Sequence, residues 1–306
     1  MIHPLTALRG VPRRTLLRWR FAYLVLLPTL VLFVYLRVFP TAWAFVMSFF
    51  DWGIIKPAEK FVGLDNYTTL LSDKNFQTAL FNTTVFAFAT TILSVIIALA
   101  LAAVLARVVR GRSGALLELL YFAPVLVPMV PVTLGWREIF NYNHGVLNAL
   151  LGIFGITRVP WLSDPNMALV AVIILSVWKQ VGYNMIILIV GMRAIPRVYD
   201  EAAAVDGATA WQRFRHVTMP LLAPVTLFVI VITTIASYNV FTQVYVLASD
   251  VQGAPGRLVR VIVYDLFENG FRFFNMGYAS AEAVYLFLII LVLTLIQFRF
   301  LRGARA

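Results

Sequence analysis

Residues 201–220 read Glu201-Ala-Ala-Ala-Val-Asp206-Gly207-Ala-Thr-Ala-Trp211-Gln-Arg-Phe214-Arg-His-Val217-Thr-Met219-Pro220. This polar, arginine-bearing stretch lies between two long apolar runs, 167–190 and 225–247. Just upstream, Pro196 opens a short helix, because proline is pre-set for a first turn and lacks only an N–H that the turn would not use. Ile195, Val198, Tyr199 and Ala202 fall at i, i+3, i+4 and i+7 and make one apolar stripe on it. Asp206-Gly207 ends that helix, since glycine takes backbone angles closed to other residues. Beyond the turn, Trp211, Phe214 and Val217 recur at every third position, with Gln212, Arg213, Arg215 and His216 between them. The pattern predicts two short amphipathic helices joined by a tight turn. A plain solvated connection has little use for a Trp, a Phe and a Tyr facing water, so a partner surface is expected to cover them.

Working outward, 61% of the 306 residues are hydrophobic, 13% are charged and the mean hydropathy is +0.86. That composition is polytopic membrane protein rather than soluble core. Six apolar segments, 21–50, 83–106, 116–136, 167–190, 225–247 and 279–298, each reach the ~20 residues a helix needs to cross the hydrocarbon layer. The segments 1–20, 107–115, 191–224 and 299–306 hold fifteen Lys and Arg in 71 positions; the other three loops hold eight in 93. Positive charge marks the cytoplasmic side. Both termini and the 191–224 loop are therefore expected in the cytoplasm, with a segment 1–20 before the membrane domain 21–298 and a tail 299–306 after it.

The same asymmetry gives the net charge of +11 a topological meaning rather than a nucleic-acid one. Arg13, Arg14, Arg18 and Arg20 before an apolar run, and Ala42-Trp-Ala44 after it, imitate a signal peptide, but the run is longer than a secretory core and apolar sequence continues past the supposed cut. We expect an uncleaved first span. Absence of cysteine excludes disulfides and thiolate sites. The four lysines, Lys56, Lys60, Lys74 and Lys179, follow Ile, Glu, Asp and Trp, so no Gly-Lys-Ser/Thr phosphate loop exists and the chain is not expected to hydrolyse ATP. His3, His144 and His216 lie in separate segments, and no paired-histidine metal motif is present.

The spacing Glu-Ala-Ala, three residues, Gly207, nine residues, Val217, then Met219-Pro220 resembles the EAA loop of permease subunits of ATP-driven, binding-protein-dependent importers. Phe61-Val-Gly63-Leu64-Asp65-Asn66-Tyr67, with Phe76, Ala79-Leu80 and Asn82-Thr83, resembles the first outer loop of the maltose and glycerol-3-phosphate importer permeases. Trp136, Gly145, Asn148, Leu151, Gly152 and Trp161-Leu-Ser-Asp-Pro165 resemble their second outer loop. Val244-Tyr-Val-Leu247 and Phe274-Asn-Met-Gly277-Tyr-Ala-Ser-Ala281 resemble the approach to their last span. The tail Gln297-Phe-Arg-Phe-Leu-Arg302, just after span 6, is similar to that of the first of the two permease types that pair. Ser249-Asp-Val-Gln-Gly-Ala-Pro-Gly256 departs from the Gly-Gly-Pro usual there.

The resemblance implies an all-α, six-span type I importer permease fold. Its implied companions are a second homologous permease, two ATPase subunits and an extracytoplasmic solute-binding protein, all at a lipid membrane, with ATP and Mg held by the ATPases and no cofactor on this chain. The docking residues it implies are Tyr199, Glu201, Ala202, Ala203, Asp206, Gly207, Trp211 and Phe214. The cargo it implies is a sugar or related polyol, glycerol-3-phosphate and glycerophosphodiesters included.

Along the path, Ser176, Gln180, Tyr183 and Asn184 share a helical arc and are costly against lipid. Asn239 and Gln243 form an i, i+4 pair in the fifth segment. Counted from Glu201 and Pro224, Ser176, Gln180, Tyr183 and Asn239 match pocket positions of maltose-type permeases. The plainer reading of such groups is glue between helices. Lys179 sits near the centre of span 4, while Arg37, Glu118 and Glu282 lie near span ends where they can snorkel. A buried cation suits an anionic solute, but Trp178-Lys179 also resembles a pair found in permeases for neutral sugars. The rival class, an ion-coupled secondary transporter, needs an intramembrane ion relay. A receptor or scaffold has no signalling domain here to support it.

Overall fold

The computed structural model describes residues 13–53, 55, 60–107, 111–248 and 259–303. Among the described residues, five helices are long and apolar enough to cross a membrane: Trp19–Met47, Lys74–Ala106, Pro165–Arg193, Ala210–Tyr238 and Met276–Phe300, which are spans 1, 2, 4, 5 and 6. Span 3 is a bent pair, Arg112–Leu126 and Met129–Ile139, meeting at 99°. Spans 2 and 4 pack along their length, with span 5 against both. Near one end Val95, Ala98, Ala102 and Leu105 of span 2 interlock with Met185, Leu188, Ile189 and Met192 of span 4 and Leu222 and Val229 of span 5. Small residues let these backbones approach, which is how helices associate in lipid.

Short elements brace the other end. A two-stranded ladder, β1 Phe50–Asp51 and β2 Lys60–Phe61, pairs antiparallel. Gly277 lies so close to it that a Cβ would fall 2.0 Å from the Phe50 carbonyl oxygen. Asn148 binds the Trp161 indole and the Val159 backbone, closing the second outer loop. Asp164 caps span 4 by accepting from the backbone N–H groups of Asn166 and Met167, and Pro165 takes the first helical position.

Span 1 differs from the rest. Its helix passes through a π-helical turn, Val34–Val38, just before Pro40, whose missing N–H leaves the Leu36 carbonyl without its usual donor. No residue of its most apolar window is buried. Only its end touches the bundle, where Phe45 meets Phe287 edge-on at 5.5 Å.

The sequence-based boundaries need four corrections. The segment 116–136 is not one helix: Val127 is extended ahead of Pro128, as a residue before proline prefers. The segment 225–247 is also divided, because span 5 ends at Tyr238 and a separate helix, Thr242–Ala248, follows. Asn239 and Gln243 therefore do not share a helix. The second of the two amphipathic helices is not free-standing; residues from Ala210 run through a π-turn, Phe214–Thr218, into span 5. Helix ends before Phe50, which lies in β1. The divergent stretch 249–256 lies outside the described residues, as do 1–12 and 304–306.

Candidate functional site

The 191–224 loop forms as its sequence pattern predicts over its first half. Pro196 precedes the helix Arg197–Val205, Asp206 ends it, and Gly207 takes φ +80°. Val198, Tyr199, Glu201, Ala202, Asp206 and Gly207 are exposed, Ala203 is half-buried, and Val205 is 88% exposed. Thr209 opens the next turn with a reciprocal capping box to Gln212. Trp211 stands 65% exposed with its ring 5.7 Å from that of Phe214, which in turn packs on the core of spans 2, 4 and 5. Arg213 ties the two arms by donating to Asp200 at 3.0 Å. The result is an apolar ridge, Val198, Tyr199, Ala202, Val205 and Trp211, that nothing in the chain covers among the described residues. Behind it opens a cleft of about 980 Å³, flanked by Glu118, Arg193, Asp200 and Arg213.

Mid-membrane, the predicted path residues divide. Ser176 is buried and accepts from Gln243 Nε2 at 3.2 Å, tying span 4 to the helix Thr242–Ala248. Asn184 is likewise buried, donating to Ser94 and accepting from Thr233, and so ties spans 2, 4 and 5. These are glue. Tyr183 is 47% exposed, and Asn239 is exposed where span 5 ends, its amide donating back to the Ile235 carbonyl. Gln180 Oε1 is buried without a partner among the described residues. Lys179 is committed elsewhere: its ammonium donates to the carbonyls of Pro124 at 2.8 Å and Val127 at 2.7 Å, at the break in span 3.

Two expected snorkellers behave otherwise. Glu118 pairs with Arg193, joining the first half of span 3 to the end of span 4. Glu282 is fully buried. It accepts from Asn269, while its Oε2 and the Oδ2 of Asp265 are buried with no hydrogen-bond partner among the described residues. Around them, Glu268 accepts from Arg260, Arg272 and Tyr264, and Arg260 pairs with Asp265 at 3.2 Å. Burial pushes the Asp265 carboxyl up from its usual range, against the pull of Arg260. Counting only basic residues per loop missed this cluster. The spacing of Asp265, Glu268 and Arg272 at i, i+3 and i+7 was its available signal.

Residues 94–306 match the model of the family described as binding-protein-dependent transport system inner membrane component. The "Probable ABC transporter permease protein YurN" of Bacillus subtilis is 34% identical over 92% of this chain and 96% of that one. The trehalose/maltose transport system permease protein MalF of Thermococcus litoralis is 30% identical over 92% and 93%. The sn-glycerol-3-phosphate transport system permease protein UgpA of Agrobacterium fabrum is 34% identical over 91% and 93%. Among solved structures, a chain of a bacterial ABC transporter that imports the acidic polysaccharide alginate superposes with a TM-score of 0.82 at 23% identity, covering 95% of this chain and 98% of that one. At that identity it speaks for the fold alone.

Proposed function

Since the chain belongs to the family of inner membrane components of binding-protein-dependent transport systems, and is thus a multi-pass permease subunit of an ATP-driven importer, we propose how it is assembled and what it carries. It pairs with a second permease, rests on two cytoplasmic ATPase subunits through the ridge of Val198, Tyr199, Ala202, Val205 and Trp211, and receives solute from an extracytoplasmic binding protein. Both termini and the docking loop face the cytoplasm, where the basic residues concentrate. The docking set Tyr199, Glu201, Ala202, Ala203, Asp206, Gly207, Trp211 and Phe214 lies in or beside that ridge. Hydrolysis belongs to the partners; this chain converts closure of the ATPases into movement of its spans.

The cargo is a neutral, hydroxyl-rich solute, a sugar or polyol. The observation that carries this reading is the placement of Lys179. With two of its three donors on backbone carbonyls, the mid-membrane cation is spent on the fold. What is left to meet solute, Tyr183, Gln180 and Asn239, is uncharged. Relatives are named for trehalose and maltose on one hand and for sn-glycerol-3-phosphate on the other. The uncharged patch supports the first kind of cargo.

The test replaces Gly207 with Pro, whose φ near −65° is incompatible with the +80° held here, and separately Glu201 with Lys. Insertion is set by the spans, so both variants should reach the membrane at wild-type abundance. ATPase recruitment, or solute-stimulated ATP hydrolysis in proteoliposomes, should fall. Full stimulated hydrolysis in both variants sinks the docking assignment.

A further inference from the structure

In a regular helix the carbonyl of Pro124 is met by the N–H of residue 128 and that of Val127 by the N–H of residue 131. Here residues 128 and 131 are both proline, and neither has an N–H. The carbonyls so orphaned are the two that Lys179 of span 4 takes, at 2.8 and 2.7 Å. A cation there also faces the negative end of the helix Arg112–Leu126. In lipid no water can meet an unpaired carbonyl, so the bend in span 3 depends on a donor from outside it.

Two more contacts join the same elements. Gly182, three residues on from Lys179, lies so near span 3 that a Cβ would stand 2.0 Å from the Tyr121 carbonyl oxygen. At the far end of the same interface, Arg193 pairs with Glu118. The helix Arg112–Leu126 is thus fastened to span 4 at three levels. Span 4 in turn is followed, after three residues, by the docking helix Arg197–Val205. Past the 99° bend, Met129–Ile139 packs mainly against the helix Thr242–Ala248 and meets span 4 where Trp136 lies edge-on to Trp178 at 5.5 Å.

We propose that Lys179 is a positioning residue that clamps the first half of span 3 to span 4, so that the docking loop drives both as one body and the bend at Val127-Pro128 is the hinge. This rests on the docking reading given above. Lys179 acts on the coupling of ATP to transport and does not contact solute.

The chain has no cysteine, so introduced cysteines can be spin-labelled without background. Labels at exposed Leu120 in the first half of span 3, Leu134 in the second half and Val190 in span 4 report the two distances that matter. In the assembled transporter in proteoliposomes, the 120–190 distance should stay narrow and unchanged between nucleotide-free and ATP-trapped states, while the 134–190 distance shifts. Lys179→Met should broaden the 120–190 distribution even without nucleotide. It should also lower uptake per ATP hydrolysed by roughly tenfold, the scale of one charge-assisted hydrogen bond, with the half-saturating solute concentration within about twofold of wild type. Lys179→Arg, which restores donors, should recover most of the coupling. A 120–190 distance that moves with ATP in the wild type, or a Lys179→Met protein with normal coupling or an altered half-saturation, overturns the clamp. Should Lys179→Met fail to assemble, recovery of assembly by Lys179→Arg but not by Lys179→Gln supports it, and equal recovery by both counts against it. Failure of the docking reading looks different: no distance responds to ATP, yet the broadening by Lys179→Met persists.

Discussion

At the scale of the residue, chemistry alone does not tell a binding group from a fastener; partners do. Ser176 and Asn184 look as suited to a sugar hydroxyl as Tyr183 and Asn239 do, and the sequence gives both pairs the same polar signature within apolar spans. Only the fold shows that the first pair is consumed by Gln243, Ser94 and Thr233. Tyr183→Ala and Asn239→Ala each remove a contact worth on the order of 1 kcal/mol in a partly dehydrated site. Uptake per assembled complex should fall several-fold and half-saturation rise, with basal hydrolysis unchanged; unchanged uptake per complex in both variants removes them from the path. Ser176→Ala should instead reduce the amount of complex and leave each surviving complex competent. Asp265 makes a separate prediction. Its folded carboxyl is pushed above the ordinary range of about 4 by burial, opposed by Arg260, with Glu268, Glu282 and Asp73 facing it. The folded state therefore holds a proton that the unfolded state has lost, and stability falls as pH climbs from the ordinary aspartate range through the raised value, then levels. The unfolding midpoint of detergent-solubilised protein, followed against pH, should show this slope, and Asp265→Asn should flatten it.

At the scale of the element, spans 2, 4 and 6 were legible because long apolar runs admit one reading. So was the docking helix, whose start, stripe and stop are written as Pro196, the i, i+3, i+4 pattern and Asp206-Gly207. Span 4 begins at Pro165, two residues before the apolar run that starts at 167, because Asp164 caps it there. Asp164→Ala should cost about 1 kcal/mol through loss of the cap, seen as a lowered unfolding midpoint with the docking loop intact. The break in span 3 was missed for a physical reason: hydropathy counts proline as tolerable in a membrane helix, and says nothing of whether a donor is at hand for the freed carbonyls. Pro124, Pro128 and Pro131 were the signal, and the donor sits 52 residues from Val127. The end of span 5 at Tyr238 carried no comparable mark, since Asn239 continues a helix as readily as it stops one. The buried acid cluster was legible only in part: Asp265, Glu268 and Arg272 carry a helical spacing, but their meeting with Glu282 of span 6 arises in space and not from spacing in sequence.

At the scale of the whole molecule, the proposed sidedness rests on the distribution of charge. Reporters fused after Arg110 or Ala208 should read cytoplasmic and those at Asp73 or Ser163 external. A cytoplasmic signal at Asp73 overturns the six-span arrangement. Span 1 carries a different implication. It is apolar on every side, and its own chain buries none of its most apolar window. During synthesis it leaves the ribosome before spans 2 to 6, and among the described residues nothing encloses it. Until a companion subunit arrives it is a lodger among lipids, and the cell's membrane proteases can recognise it as unaccompanied. How much of this protein a cell keeps should then be set by how much companion it makes, so that overproducing the chain alone yields a short-lived species and co-producing the companion lengthens its half-life.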